Sequence, residues 1–250
     1  MKSKLMAAAA LAVLTLTAGA SAWAAPDANI LAAVADKGRP EADTARDQFR
    51  KPADMLDFAG VKPGQTVVDM LPGGGYFTRI FSKAVGPKGV VYAVSTPSRT
   101  PIDPAKLPPP EAIAADPAYN NTKSLRAPFT AFAIPTKADL VWTSQNYHDL
   151  KNSKDLDTVA LNKAVFDALK PGGTYIVLDH AADAEPADAT SALHRINPET
   201  VKKEVTAAGF RFVGESNVLR NPSDDHKKKV FEAGEHDHTD QFIYKFTKPR

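Results

Sequence analysis

Three consecutive glycines in the sequence VVDMLPGGGY, at positions 67–76, constrain the fold more than any other feature of the chain. A β-branched run and Asp69 precede them, and a segment with helical spacing of apolar residues follows. Glycine permits a tight turn between a strand and a helix, and it lets a ligand approach bare backbone. The helix start offers free N–H groups to an anionic group. The pattern therefore predicts a first strand, a binding turn and a helix.

The rest of the chain alternates short apolar runs with helical patterns. Strands are predicted at 66–70, 90–94, 125–127, 139–143 and 175–178, from 210 onward, and at 242–246. The alternation of Phe242, Tyr244 and Phe246 predicts one packed face for the last strand. Alternating strands and helices predict an α/β fold, in which a doubly wound, mostly parallel sheet carries helices on both faces.

The first 24 residues are typical of a secretory signal peptide. Lys2 and Lys4 precede an apolar run over 5–20, and Ala22-Trp23-Ala24 supplies small residues for cleavage after Ala24. An uncut membrane anchor is the alternative, but the apolar run is short for a bilayer. We expect an exported, periplasmic protein without stable membrane insertion after cleavage. Residues 25–60 are predicted to form an N-terminal helical segment, and 61–250 the α/β domain.

Charge and composition narrow the function classes. The net charge is +2, and Lys2 and Lys4 supply both units, so the remainder sums to zero. Without a polybasic patch, nucleic-acid binding is not expected, and Lys227-Lys228-Lys229 is interpreted as a solvated helix face. The chain has no cysteine, which excludes disulfides and thiol chemistry.

The segment 96–118 interrupts the alternation with a proline-rich insertion. Six prolines fall between Pro97 and Pro110, and Pro117 follows. Long insertions in compact domains are often functional lids, although an exposed loop without function remains an equal alternative.

Polar residues follow three of the predicted strands. Asp69 ends the first, Asn146 and His148 follow the fourth, and Asp179-His180 ends the fifth. Ligands on such sheets bind beyond the carboxyl ends of the strands. His148 is either a base near neutral pH or a structural histidine. Asp179 and His180 could form an acid–base pair, although adjacent strand residues point to opposite faces.

Other charged residues give weaker hypotheses. Arg195 either holds an anionic substrate group or lies on the surface. His226, His236 and His238, with Asp237 and Asp240, suggest a metal, but their spacing fits no established zinc pattern. We therefore predict no metal site.

Taken together, these residues resemble class I S-adenosylmethionine-dependent methyltransferases, in particular the exported "predicted methyltransferase" group. The resemblance rests on 67–76, 138–150, the LKPGG sequence at 169–173 and LHRI at 193–196. It implies a Rossmann-like, seven-stranded sheet whose last strand is antiparallel and lies between strands five and six. It also implies S-adenosylmethionine as cofactor and a small-molecule substrate.

The resemblance assigns roles to particular residues. The implied cofactor-binding residues are Asp69, Gly73, Gly74, Gly75, Ser95 and Asn146. The implied catalytic residues are His148, Asp179 and His180, with His148 as the base. The chain departs from the family pattern at Leu71, where a glycine is usual, at Pro72, which has no N–H, and at Ser95, where an acid is usual.

Two hypotheses follow from this pattern. The first is an exported methyltransferase that acts on a small molecule or an envelope component. The second is a non-enzymatic periplasmic ligand-binding protein whose cofactor pocket has degenerated at Leu71, Pro72 and Ser95.

Overall fold

The computed structural model describes residues 25–154, 156–183, 189–232 and 237–250. The predicted signal peptide and its cleavage site after Ala24 lie outside the described residues. Within these ranges, no helix has the length and apolar character needed to cross a membrane.

Seven strands form one sheet in the order β3-β2-β1-β4-β5-β7-β6. The strands are β1 (Thr66–Met70), β2 (Val90–Ser95), β3 (Thr122–Arg126), β4 (Ala138–Ser144), β5 (Leu169–His180), β6 (Arg211–Ser216) and β7 (Gln241–Thr247). The first five are parallel, and β7 runs antiparallel to both β5 and β6. The predicted fold class and the position of the last strand are confirmed.

Helices cover both faces of this sheet. They are α1 (Ala28–Val34), α2 (Glu41–Thr44), α3 (Asp47–Arg50), α4 (Pro52–Ala59), α5 (Tyr76–Val85), α6 (Pro109–Ala115), α7 (Tyr147–Asn152), α8 (Thr158–Ala168), α9 (Ala189–Ala192) and α10 (Pro198–Ala207). The glycine turn leads into α5, as predicted. The side chain of Asn197 caps α10 by accepting two backbone N–H groups.

Two hydrophobic cores lie on opposite faces of the sheet. Successive residues of β1 point to opposite faces, so Val68 packs in one core and Val67 in the other. The prediction of one packed face for the last strand is wrong. Phe242 packs in the first core and Ile243 in the second, because β7 lies inside the sheet, where both faces are covered.

The segment before β1 is helical and consists of the four short helices α1 to α4. Lys51 adopts a left-handed conformation with φ of 45° between α3 and α4. Arg79 of α5 pairs with Asp43 at 2.9 Å, and the Tyr76 hydroxyl donates to Asp47 at 2.5 Å. These contacts hold α2 and the first residue of α3 against the start of α5, which places Arg46 and Arg50 beside the glycine turn.

The proline-rich insertion contains helix α6 in its second half. Glu111 of α6 pairs with Arg126 of β3 at 2.7 Å, which fixes the helix to the sheet. Ile113 of the same helix is buried against the glycine turn, since a Cβ added to Gly75 would lie 2.1 Å from its Cδ1. The insertion therefore covers one side of the turn.

Candidate functional site

A cavity of about 320 Å³ opens at the carboxyl ends of β1 and β4. It is lined by Asp43, Arg46, Arg50, Asp69, Leu71, Pro72, Gly73, Gly74, Tyr76, Phe77, Ser144, Gln145, Asn146, Asp149 and Phe231. Its volume falls at the lower end of the range for small-molecule sites. Four of the predicted cofactor-binding residues line it, namely Asp69, Gly73, Gly74 and Asn146.

The glycine turn presents bare backbone to this cavity. A Cβ added to Gly73 or Gly74 would meet no atom within 4 Å. Gly75 differs, because Ile113 covers it and it is not part of the lining. Leu71, which stands where a glycine is usual, has φ of 53°. The backbone conformation that favours glycine is therefore kept despite the leucine, at a cost of about 1–2 kcal/mol.

Asp69 and Asn146 supply acceptors at the floor of the cavity. Asp69 is buried, its Oδ2 accepts a hydrogen bond from Thr78 at 2.6 Å, and burial raises its pKa to about 7. Asn146 donates to the carbonyl oxygens of Met70 and Leu71 at 3.1 and 3.2 Å. Its own Oδ1 is buried and has no hydrogen-bond partner among the described residues. A buried polar atom without a partner is unusual in a folded protein.

Arg50 brings a buried positive charge to the opposite wall. Its guanidinium donates to Ser144 at 2.8 Å and to Gln145 at 3.1 Å, and it lies over the ring of Phe77. Its Nε has no partner, and no carboxylate in the described part of the chain pairs with it. Burial lowers its pKa to about 10, so it remains charged at neutral pH.

Sequence reasoning missed this arginine. Arg46 and Arg50 are four residues apart, a spacing that places both on one helical face. That spacing is a usable signal, but it does not show which strand ends the face approaches. In the structure Arg46 also lines the cavity, where it pairs with Asp237 at 2.6 Å.

A second polar cluster lies beside the cavity and is centred on His148. The imidazole is 1% exposed, and its Nδ1 lies 2.8 Å from Asp179 Oδ1, while Nε2 lies 3.3 Å from Asp149 Oδ1. Burial lowers its pKa, but Asp179 and Asp149 outweigh burial and raise it to about 10. His148 does not line the cavity. Its role as a catalytic base stays a prediction.

Asp179 and His180 do not form the expected acid–base pair. Both carboxylate oxygens of Asp179 are taken, by the ring and backbone N–H of His148 and by the backbone N–H of His180. The His180 ring instead contacts the Thr239 hydroxyl at 2.6 Å. Neither residue lines the cavity. The side-chain partner of Asp179 comes from the neighbouring β4 end, a pairing that sequence reasoning did not foresee.

Ser95 ends β2, as the sequence indicated. It is partly buried and lies outside the cavity lining, and its carbonyl oxygen accepts from Ala127 at 3.0 Å. Its role in cofactor binding stays a prediction.

Arg195 is neither a surface residue nor free for a substrate. Its side chain is fully buried, and it pairs with Asp224 through two contacts of 2.7 and 3.1 Å. It also donates to the carbonyl oxygens of Ala181 and Lys228. With its donors paired in this way, its role is structural.

The C-terminal histidines point in different directions. His226 contacts Asp183 through Nδ1 and Asp240 through Nε2, and the His238 ring packs edge-on against Phe49 at 4.8 Å. His236 lies outside the described residues. In the ranges that the structure describes, the one group with metal-ligand geometry is a different one, formed by His148, Asp149 and His194.

Comparisons with known proteins agree on the fold. No family model matches the chain. It is 28% identical over 185 residues to the ubiquinone/menaquinone biosynthesis C-methyltransferase UbiE of Hydrogenovibrio crunogenus and to that of Pasteurella multocida. Each match covers 72% of this chain, and 68% and 65% of the two relatives, respectively.

Solved structures extend the agreement. A SAM-dependent methyltransferase from Aquifex aeolicus aligns with a TM-score of 0.54 at 17% identity, covering 81% of this chain and 97% of that one. The glycopeptide N-methyltransferase MtfA in complex with S-adenosyl-L-homocysteine aligns with a TM-score of 0.53 at 15% identity, covering 78% and 86%. These likenesses show the fold.

Proposed function

We propose that this chain, which has the class I S-adenosylmethionine-dependent methyltransferase fold, is a methyltransferase that uses S-adenosylmethionine. Its substrate would be a small molecule or an envelope component. One observation carries the proposal, namely the cavity at the glycine turn. Within the described residues, no carboxylate pairs with the buried charge of Arg50 there, and the buried Asn146 Oδ1 accepts no hydrogen bond. The similarity to two C-methyltransferases supports the same reaction class.

The cavity residues fit the amino-acid end of the cofactor. Arg50 would hold its carboxylate, while Asp69 and Asn146 would accept from its ammonium group. Gly73 and Gly74 leave room for the ligand to approach the main chain. When bound, the cofactor would supply a methyl group from its sulfonium.

The chain's own contribution to the reaction is then positioning and exclusion of water. Tyr76, Phe77 and Phe231 give the cavity apolar walls around its polar floor. Holding two reactants in line can supply much of the rate enhancement of such a transfer. His148 orders Asp149 at the cavity edge and does not itself reach the cavity.

Titration of the purified protein with S-adenosylhomocysteine tests this proposal. We expect one saturable site by isothermal titration calorimetry. Gly74→Val should abolish binding, because the added side chain enters the cavity without a backbone clash or a left-handed φ. Gly214→Val is the matched control, since Gly214 is also uncrowded but lies in β6, away from the cavity. No heat and no thermal shift at millimolar ligand in the unsubstituted protein would contradict the proposal.

We also propose that the protein is exported, on the support of the signal-like sequence over 1–24. Cell fractionation of a C-terminally tagged protein should place it in the periplasm. N-terminal sequencing of that material should begin at Ala25. Retention in the cytoplasm with Met1 intact would contradict export.

A further inference from the structure

We propose that His148, Asp149 and His194 bind one divalent transition-metal ion of the zinc type. The first two residues lie in the first turn of α7, and His194 follows α9. Each side chain offers one ligand atom, and these atoms all lie within 4.8 Å of one another. Two imidazoles and a carboxylate form a ligand set that zinc accepts in proteins. The proposal does not depend on cofactor binding.

Two of the three separations between the ligand atoms suit a single tetrahedral ion. His148 Nε2 and His194 Nδ1 lie 3.3 and 3.2 Å from the same oxygen, Asp149 Oδ1. Zinc–ligand bonds of about 2.0–2.1 Å place two ligand atoms about 3.3 Å apart at the tetrahedral angle. The protein therefore already holds both nitrogens at the separation from the carboxylate that one bound ion requires.

The orientation of His148 provides a second, independent indication. The residue is 99% buried, and its Nε2 makes no hydrogen bond of good geometry with any described residue. The atom that faces this nitrogen is Asp149 Oδ1 at 3.3 Å, which belongs to the proposed site itself. Its Nδ1 is held by Asp179 at 2.8 Å. A carboxylate that accepts from one ring nitrogen directs the other nitrogen toward a metal, as is usual for metal-binding histidines. Asp179 is therefore the positioning residue of the proposed site.

The charge of the cluster also suits a cation. Asp149 and Asp179 bring two carboxylates together, and no lysine or arginine in the described ranges forms an ion pair with either. Asp179 is fully buried, whereas the Asp149 side chain is 43% exposed. Buried carboxylates usually pair with a cation or coordinate a metal. A divalent ion would displace the proton from His148 Nε2 into solvent and supply the compensating charge in its place.

The proposed site borders the cavity. Asp149 lines it, and so does Phe231, whose ring packs 4.7 Å from the His194 ring. Three protein ligands leave the fourth position of a tetrahedral ion open to water or to a substrate atom, as in catalytic rather than structural zinc sites. An ion held here would lie at the edge of the cavity.

Cobalt substitution of untagged protein tests the proposal. After chelator treatment and dialysis, addition of Co²⁺ should produce the visible absorption of a four-coordinate ion, saturating at one ion per chain. Added Zn²⁺ should displace it. His194→Ala should weaken binding at least a hundredfold, and Asp179→Asn about 10–100-fold, the usual loss for an outer hydrogen-bond partner.

His226→Ala is the matched control. His226 also contacts two carboxylates, but through opposite ring nitrogens, so the two cannot share one ion with it. The His226→Ala variant should bind Co²⁺ as the unsubstituted protein does. Unfolding curves of the metal-free variants check the fold, and His194→Gln serves if His194→Ala is unstable. Absence of the four-coordinate spectrum, or equal affinity in the His194 and His226 variants, would overturn the proposal.

Discussion

Two buried arginines in different regions of the molecule show how a structural site differs from a candidate binding site. Arg195 is paired with Asp224 through two contacts and donates to two backbone carbonyls. Within the described residues, Arg50 donates to neutral side-chain oxygens alone, its Nε has no partner, and it lines a cavity. Because buried charges are normally compensated, this incomplete pairing supports the proposal that a ligand completes it.

The two aspartates of these regions differ in the same way. Burial raises the pKa of Asp69 to about 7, and Thr78 is the one described residue whose side chain donates a hydrogen bond to its carboxylate. Burial also acts to raise the pKa of Asp224, but Arg195 and two backbone N–H groups outweigh it, and the pKa falls below its ordinary value. The cavity region therefore keeps its carboxyl group poorly compensated, whereas the Arg195 region stabilises the charged form.

The largest expected effect is at Arg195, the arginine that is paired with a carboxylate. Arg195→Ala should lower the free energy of unfolding by about 3–5 kcal/mol, because it leaves the buried Asp224 carboxylate without its cation. Urea denaturation at pH 7 measures this loss. Arg50→Met, as the control, should cost much less, since no carboxylate loses a partner. Similar losses in both variants would remove the distinction between the two arginines.

A smaller effect is expected from Asp69. Its folded pKa lies above its unfolded value, so between about pH 4 and 7 the unfolded chain loses a proton that the folded chain keeps. Asp69 therefore lowers the free energy of unfolding as pH rises through this window, by up to about 4 kcal/mol. Asp69→Asn should remove that decline in denaturation curves recorded at pH 5 and 7.5.

The contribution of Asp224 to the free energy of unfolding should change with pH in the opposite direction. Its stabilising contribution is present above its unfolded pKa and is lost as pH falls through its folded pKa. Asp224→Asn should thus flatten the acid side of the plot of unfolding free energy against pH.

The contradicting result for Asp69 concerns the same plot. If the free energy of unfolding changes with pH in parallel in Asp69→Asn and in the unsubstituted protein, the pKa of Asp69 is not raised.

Local sequence patterns were sufficient to predict much of the fold. The β-branched run and the glycines gave the bounds of β1 as Thr66–Met70, and the resemblance placed β7 inside the sheet. Strand β5 begins earlier than predicted, at Leu169 and not at residue 175. Leu169 and Thr174 pair with β4, but the residues between them have no partner there, and Gly172 has φ of 80°. The LKPGG sequence is therefore a bulge within the strand, consistent with the weak strand preference of glycine and proline.

The site was less predictable because its contacts join distant parts of the chain. Arg50 donates to Ser144, which is 94 residues away, and His148 meets Asp179 across 31 residues. No periodicity in the sequence encodes such pairs. The left-handed backbone of Leu71 was also hidden, since leucine rarely adopts it and only the surrounding structure imposes it.

The most direct measurement compares two ligands and two proteins. Calorimetric titration with S-adenosylmethionine and with its decarboxylated analogue should show that removal of the ligand carboxylate costs the unsubstituted protein about 1.5–3 kcal/mol, or roughly 10–100-fold in affinity. In Arg50→Met, the two ligands should bind almost equally. An equal loss in both proteins, or no binding of S-adenosylmethionine at all, would contradict the assignment of Arg50 and of this cavity to the cofactor.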